Sequence, residues 1–175
     1  MKKILVGLSF VLFSLTSFAE ELIEVRLLSD KVTILAPKGF GAMPANLLEI
    51  KYPLSSRPTE VLSDSTGGVT LAFNHTENTM QASQVGEAHV AMSHVFHNMY
   101  PSATWFRDEI IEQNGRTFMV MELITPAMDT KIHNIMYGTS VDGRLLLAAF
   151  NTTIEQSEKW LPIGKKIMSS LTVTE

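Results

Sequence analysis

The sequence predicts an α+β domain. An antiparallel sheet contains a four-stranded meander over about residues 103–151, and helices over about 79–99 and 153–171 pack on it. Three observations predict this. Asn114-Gly115 and Asp142-Gly143 each lie between runs rich in β-branched and apolar residues. Such pairs supply the two positive-φ residues of a two-residue hairpin turn. Between Val85 and Met99 the apolar residues Val85, Ala88, Met92, Val95, Phe96 and Met99 recur at the spacing of one helical stripe. Near the end, Trp160, Gly164, Ile167, Met168 and Leu171 share one face of a second helix.

The chain opens with "MKKILVGLSFVLFSLTSFA". Lys2 and Lys3 form a positive head, and an apolar run follows that is shorter than the roughly 20 residues of a membrane span. Ser17 and Ala19 are small residues at a cleavage point. This is the pattern of a bacterial secretory signal peptide, expected to be removed after Ala19. Residues 20–175 then form one domain, by its size, with the periplasm as the simplest destination and no membrane span left after cleavage. Losing Lys2 and Lys3 takes the net charge from −4 to −6. An acidic domain lacks the basic footprint that nucleic acid requires. The chain has no cysteine, so neither a disulfide nor a lipidated cysteine is available.

Along the mature chain, "KVTILAP" (31–37) is a strand ended by proline. "KGFGAMPANLLEIKYP" predicts a loop with a short turn or helix, and "SSRP" and "SDSTGG" are turns. "GVTLAF" (68–73) is a buried strand. Asn78, with Gln81 three residues on, predicts the start of the first long helix as a capping box. Pro101 ends that helix. In the last helix, Pro162 predicts a kink or a restart.

The two hairpins also predict register. A two-residue turn at 114–115 places Arg107 opposite Glu122 and Trp105 opposite Ile124. The turn at 142–143 places Asn134 opposite Asn151. A symmetric joining turn centred near Met128 would place Glu122 opposite Asn134. Together these predict one polar row, Arg107–Glu122–Asn134–Asn151, with Arg107 and Glu122 paired. The row either pins the register or forms the polar floor of a ligand pocket. A second candidate binding element is the Pro-stiffened loop around Tyr52 and Arg57, since loops on a rigid scaffold often carry binding residues.

"HVAMSHVFHNM" (89–99) holds three of the five histidines. On a helix, His89 flanks the apolar stripe, and His94 and His97 lie on the solvent side. One helix therefore offers two ligands at most, fewer than the three or four that zinc takes. No metal or cofactor is expected. Nor does the sequence contain a nucleophile elbow, a zinc-protease motif, a phosphate loop or a dinucleotide fingerprint. Asp108 and Glu109 point to opposite faces of a strand, so they cannot act as an acid–base pair. No catalytic residues are expected, and the chain is not expected to be an enzyme.

With the phrases "EIKYPLSSRPTEVL" and "IGKKIMSSL", and with its order of strand, Pro-containing loop, strands, helix, meander and helix, the chain resembles the PsbP-like superfamily. That superfamily includes the DcrB-like bacterial envelope proteins. The resemblance covers most of the mature chain. It implies a sheet sandwiched by helices and a non-enzymatic accessory or binding role through a protein or small-ligand partner. The alternatives are a periplasmic metal carrier or sensor using His94 and His97, and a hydrolase without a recognisable motif.

Overall fold

The computed structural model describes residues 20–53, 57–127 and 129–174. The leader, with its cleavage point at Ala19, lies outside the described residues, as do Met128 and residues 54–56 of the candidate loop.

The strands are β1 (Leu22–Leu27), β2 (Val32–Pro37), β3 (Gly41–Ala42), β4 (Glu60–Ser63), β5 (Val69–Thr79), β6 (Thr104–Gln113), β7 (Arg116–Pro126), β8 (Lys131–Val141), β9 (Arg144–Thr153) and β10 (Thr172–Val173). The helices are α1 (Ala45–Lys51), α2 (Val85–Met99) and α3 (Ser157–Ser169). Seven strands form one antiparallel sheet in the order β3-β4-β5-β9-β8-β7-β6, and β1-β2-β10 form a second. The predicted meander is thus the β9-β8-β7-β6 half of the large sheet.

Both predicted hairpin turns form. Asn114 (φ 51), Gly115 (φ 75), Asp142 (φ 51) and Gly143 (φ 68) all lie in the left-handed region that such turns demand. Arg107 faces Glu122, and Asn134 faces Asn151, as predicted.

Two register predictions are corrected. A bulge at Phe106 places Trp105 opposite Leu123 instead of Ile124. The extra residue turns Trp105 to the opposite face from Arg107. In the β7–β8 connection Pro126 faces Lys131, and Ala127 N–H donates to Thr130 O (2.9 Å). The turn therefore has an even number of residues, and Glu122 faces Ile135 while Asn134 faces Leu123. Two-residue connections follow strand twist, whereas a three-residue loop usually wants glycine at its left-handed position, and this one has none. The one-residue difference sends Glu122 and Asn134 to opposite faces. The four-residue polar row does not exist.

The sheet has two unlike faces. On one, Phe73, Phe118, Ile135, Leu146 and Phe150 pack beneath α3 and the small sheet, joined by Ile34, Ile167 and Met168. Trp160 completes this main core and lies against Phe40. Gly164 lets α3 approach so closely that a Cβ there would lie 2.3 Å from the Phe150 ring. The helix runs unbroken through Pro162, so the predicted restart is absent. The other face carries α1 over Met43, Val61 and Ala72, and α2 over Met80 and Met119.

Helix α2 begins later than predicted. Asn78 remains in β5, which pairs with β9 as far as Thr79 opposite Arg144. The capping box is Gln81 with Gln84, closing a 3-10 turn over Ala82–Gln84. Strand pairing outcompetes the earlier cap. The helix is also turned from the predicted orientation. Val85 is buried, and Ala88, His89, Met92, Ser93 and Phe96 face the sheet, while Val95 and Met99 of the predicted stripe are exposed.

Candidate functional site

The helix-α1/α2 face of the sheet holds a cleft of about 410 Å³. Its floor is a row of polar side chains across three strands. Asn134 on β8 faces Asn151 on β9, which faces Thr70 on β5. Asn151 Nδ2 donates to Thr70 Oγ1 (3.1 Å). Tyr52, at the end of α1, also hydrogen-bonds Thr70. Burial pushes the Tyr52 hydroxyl up from its usual pKa, and the Thr70 bond offsets this only in part. Asn134 Nδ2 donates to Ile132 O (2.9 Å), Thr125 Oγ1 (3.1 Å) and Leu123 O (3.2 Å). Two carbonyl acceptors fix which way this amide points. Ile132 and Met136 add apolar floor, and Lys51 lies at the rim. The far wall is Phe96 and Tyr100, whose rings lie 6.0 Å apart. Apolar walls around a few placed polar groups are what a small-ligand site requires.

Of the six predicted binding residues, the fold brings Tyr52, Asn134 and Asn151 to this cleft. Arg57 is exposed and is not among the described residues that line it. Arg107 and Glu122 lie on the α3 side. They do not form the predicted ion pair. Arg107 Nε donates to Glu109 Oε1 (2.6 Å) and its Nη1 to the Tyr137 hydroxyl (3.3 Å). Glu122, 1 % exposed, takes His133 Nε2 (2.9 Å) and Lys165 Nζ (3.2 Å) on one oxygen, while its Oε2 is buried with no partner among the described residues. Phe106, displaced by the bulge, stacks on the His133 ring at 5.0 Å. A strand-edge arginine stays with a half-exposed glutamate. A carboxylate inside the sandwich takes the imidazole and the lysine that the fold delivers there.

The histidine helix agrees with expectation in part. His97 is half-exposed, as expected of the solvent side, but its ring also stacks on Trp105 (4.0 Å), and Nε2 lies 3.1 Å from Asp108 Oδ2. His89 Nε2 lies 2.7 Å from Asp108 Oδ1, and Ser93 Oγ donates to Asp108 Oδ2 (2.6 Å). His94 bonds Asn98 instead (3.0 Å), so the proposed His94/His97 pair does not converge. Among the described residues, no group of three or more His, Asp or Glu side chains could hold a metal ion. Ser93 bonds the carboxylate and not an imidazole, so the cluster lacks the activated hydroxyl of a nucleophilic triad. What it does is fasten α2, the wall carrying Phe96, to the edge strand β6.

Burial alone would push the Asp108 carboxyl up. Bonds from Ser93, His89 and His97 outweigh it and hold the group below the usual carboxylate range. A depressed folded pKa contributes stability above the unfolded value of about 3.9 and loses it as pH falls through the folded value. Asp108→Asn should therefore cost about 1 kcal/mol at pH 7, roughly 2–4 °C in melting temperature. The difference from the parent chain should vanish in acid. Thermal unfolding followed by circular dichroism from pH 7 down to strongly acidic pH checks both; an undiminished difference in acid would contradict the assignment.

Missing from the sequence reading were Thr70, Phe96 and Tyr100 as cleft residues, and Asp108 as a hub. Phe96 was visible only as one member of an apolar stripe. Asp108 meets its partners across a helix–strand connection, for which the sequence carries no periodic signal.

No family model and no curated protein matches the sequence. Solved structures do match the fold. Cyanobacterial PsbP (CyanoP) from Synechocystis sp. PCC 6803 is similar with a TM-score of 0.63 at 14% identity, over 91% of this chain and 96% of that one. LpqN of Mycobacterium tuberculosis is similar at 0.52 and 9% identity, over 89% and 91%. PA94 from Pseudomonas aeruginosa is similar at 0.50 and 12%, over 88% and 98%. The sheet between helices, shared over nearly the whole of each chain, is the PsbP-like fold.

Proposed function

We propose that this protein is an exported, non-enzymatic accessory protein that binds a small ligand in the cleft between α1, α2 and the sheet. The observation that carries the reading is the Asn134–Asn151–Thr70 row. Three polar side chains in register form a floor, with aromatic walls from two separate helices. The stability of a sheet does not require two opposed asparagines at its centre. Strands favour β-branched and aromatic residues there, so the cost of this row points to recognition. Export rests on the leader, with cleavage after Ala19. It agrees with LpqN, a structural neighbour described as involved in cell envelope biogenesis. Among the described residues no helix is long and apolar enough to cross a membrane.

The test is retention of small molecules. Mature protein is incubated with an envelope extract from the producing cell and washed by gel filtration. Molecules released on denaturation are then identified by mass spectrometry. A compound held by the parent chain and lost from Phe96→Ala/Tyr100→Ala is the expected result, since the substitutions remove one wall. An unfolding temperature for the variant guards against simple misfolding. Identical retention by both chains, or none by either, would sink the cleft reading. Intact mass of the secreted protein tests export separately: a mass that still includes residues 1–19 would contradict it.

A further inference from the structure

We infer that the cleft selects a small organic monoanion that carries an N–H or O–H donor on a flat apolar body. This rests on the cleft reading above and adds the chemistry of the ligand. Three observations lead to it.

The first is charge. Lys51 lines the cleft, and no Asp or Glu does so among the described residues. Nor does Lys51 have an ion-pair partner among them. Its stem lies along the 67–68 turn, close enough that a Cβ on Gly67 would sit 3.2 Å from Lys51 Cε. The ammonium group is thus held at the rim of the cleft in an acidic protein, with its charge unanswered. The second is hydrogen-bond polarity. Asn134 Nδ2 is spent on Leu123, Ile132 and Thr125, and Asn151 Nδ2 gives one of its two N–H groups to Thr70. Both amide oxygens are left to accept, against one remaining N–H, so the floor favours a ligand that donates. The third is shape. Phe96 and Tyr100 on one side and Ile132 and Met136 on the other favour a flat apolar body, because ring faces attract by stacking and by burial. The volume of about 410 Å³ suits a small molecule and not a protein segment of any length.

A matched pair of fluorescent probes separates these elements. 1-Anilinonaphthalene-8-sulfonate has a flat body, one N–H and one anionic group. N-phenyl-1-naphthylamine has the same body and N–H without the charge. Titrated into mature protein at low salt, the sulfonate should bind roughly tenfold more tightly than the neutral probe, the factor that one partly exposed charge-assisted contact supports. In Lys51→Gln that preference should fall to near unity, and in the parent chain it should shrink as salt rises. Phe96→Ala should weaken both probes. If both bind equally to the parent chain and Lys51→Gln changes nothing while Phe96→Ala weakens both, the anion preference is overturned and the cleft reading survives. If neither probe binds, or Phe96→Ala leaves both unchanged so that the dye sits elsewhere, both are overturned. Lys51 is exposed, so its substitution leaves the fold intact, and an unaltered unfolding temperature verifies this.

Discussion

Gly164→Ala lowers the melting temperature by roughly 6–12 °C, the shift that about 3 kcal/mol makes in a domain of this size. The added Cβ would lie 2.3, 2.4 and 2.8 Å from three atoms of the Phe150 ring. That ring is fully buried between β9 and α3, with Leu71 and Ile135 opposite it on the neighbouring strands. It has no free volume to enter, so α3 must lift from the sheet and Trp160, Ile167 and Met168 lose packing with it. Gly86→Ala is the internal control. That glycine lies in α2 with open space around it, and alanine there should be neutral or stabilise by up to about 1 kcal/mol. Phe150→Leu added to Gly164→Ala should recover part of the loss, since the smaller side chain vacates the clash. Chemical denaturation of the parent chain and the three variants measures all of this. A Gly164→Ala chain as stable as its parent would mean that α3 sits farther from the sheet than described.

His133→Leu is expected to cost about 3 kcal/mol, at the low end for breaking a buried ion pair because Lys165 still reaches the carboxylate. The substitution keeps an apolar side chain beneath Phe106 but removes the Nε2–H that Glu122 accepts. Glu122 is then a buried carboxylate with a half-exposed lysine as its one partner among the described residues. Glu122→Gln combined with His133→Leu should regain stability relative to His133→Leu alone, because the stranded charge is gone. A double-mutant cycle from urea denaturation measures the coupling. Additive losses would show that the pair does not interact. Both substitutions lie on the α3 side, so probe binding in the cleft should be unchanged in chains that remain folded.

Much of the fold was legible because it is set by neighbours in sequence. Asn114-Gly115 and Asp142-Gly143 adopt positive φ wherever they occur between strands, so the turns, and with them the pairings Arg107–Glu122 and Asn134–Asn151, followed from a few residues. Likewise the helical spacing at 85–99 and 157–169 needs no partner to be recognised. The short strands β1, β4 and β10 carried too little pattern to be seen. Their pairing depends on β2 and β5 being in place to receive them.

The candidate site was half legible. Tyr52, Asn134 and Asn151 meet as cleft residues, whereas Arg107 and Glu122 part from them at the β7–β8 turn, and a second irregularity, the bulge, moves Trp105. The joining turn at 127–130 lacks a glycine to dictate its length, so its register is decided by the fit of β7 against β8. The bulge at Phe106 is decided by what the edge strand must satisfy on both sides: Trp105 against His97, Phe106 over His133. The rotation of α2 follows from Asp108, a residue of the next strand, which draws His89 and Ser93 inward and leaves Val95 and Met99 outside. By itself, then, the sequence determined the long elements, their order, the hairpin registers near both turns and the resemblance that names the fold, because local geometry and periodicity carry them. Only the tertiary structure decided which face each polar side chain joins. A strand reverses every side chain with a one-residue shift, and that shift is set by contacts between residues far apart along the chain.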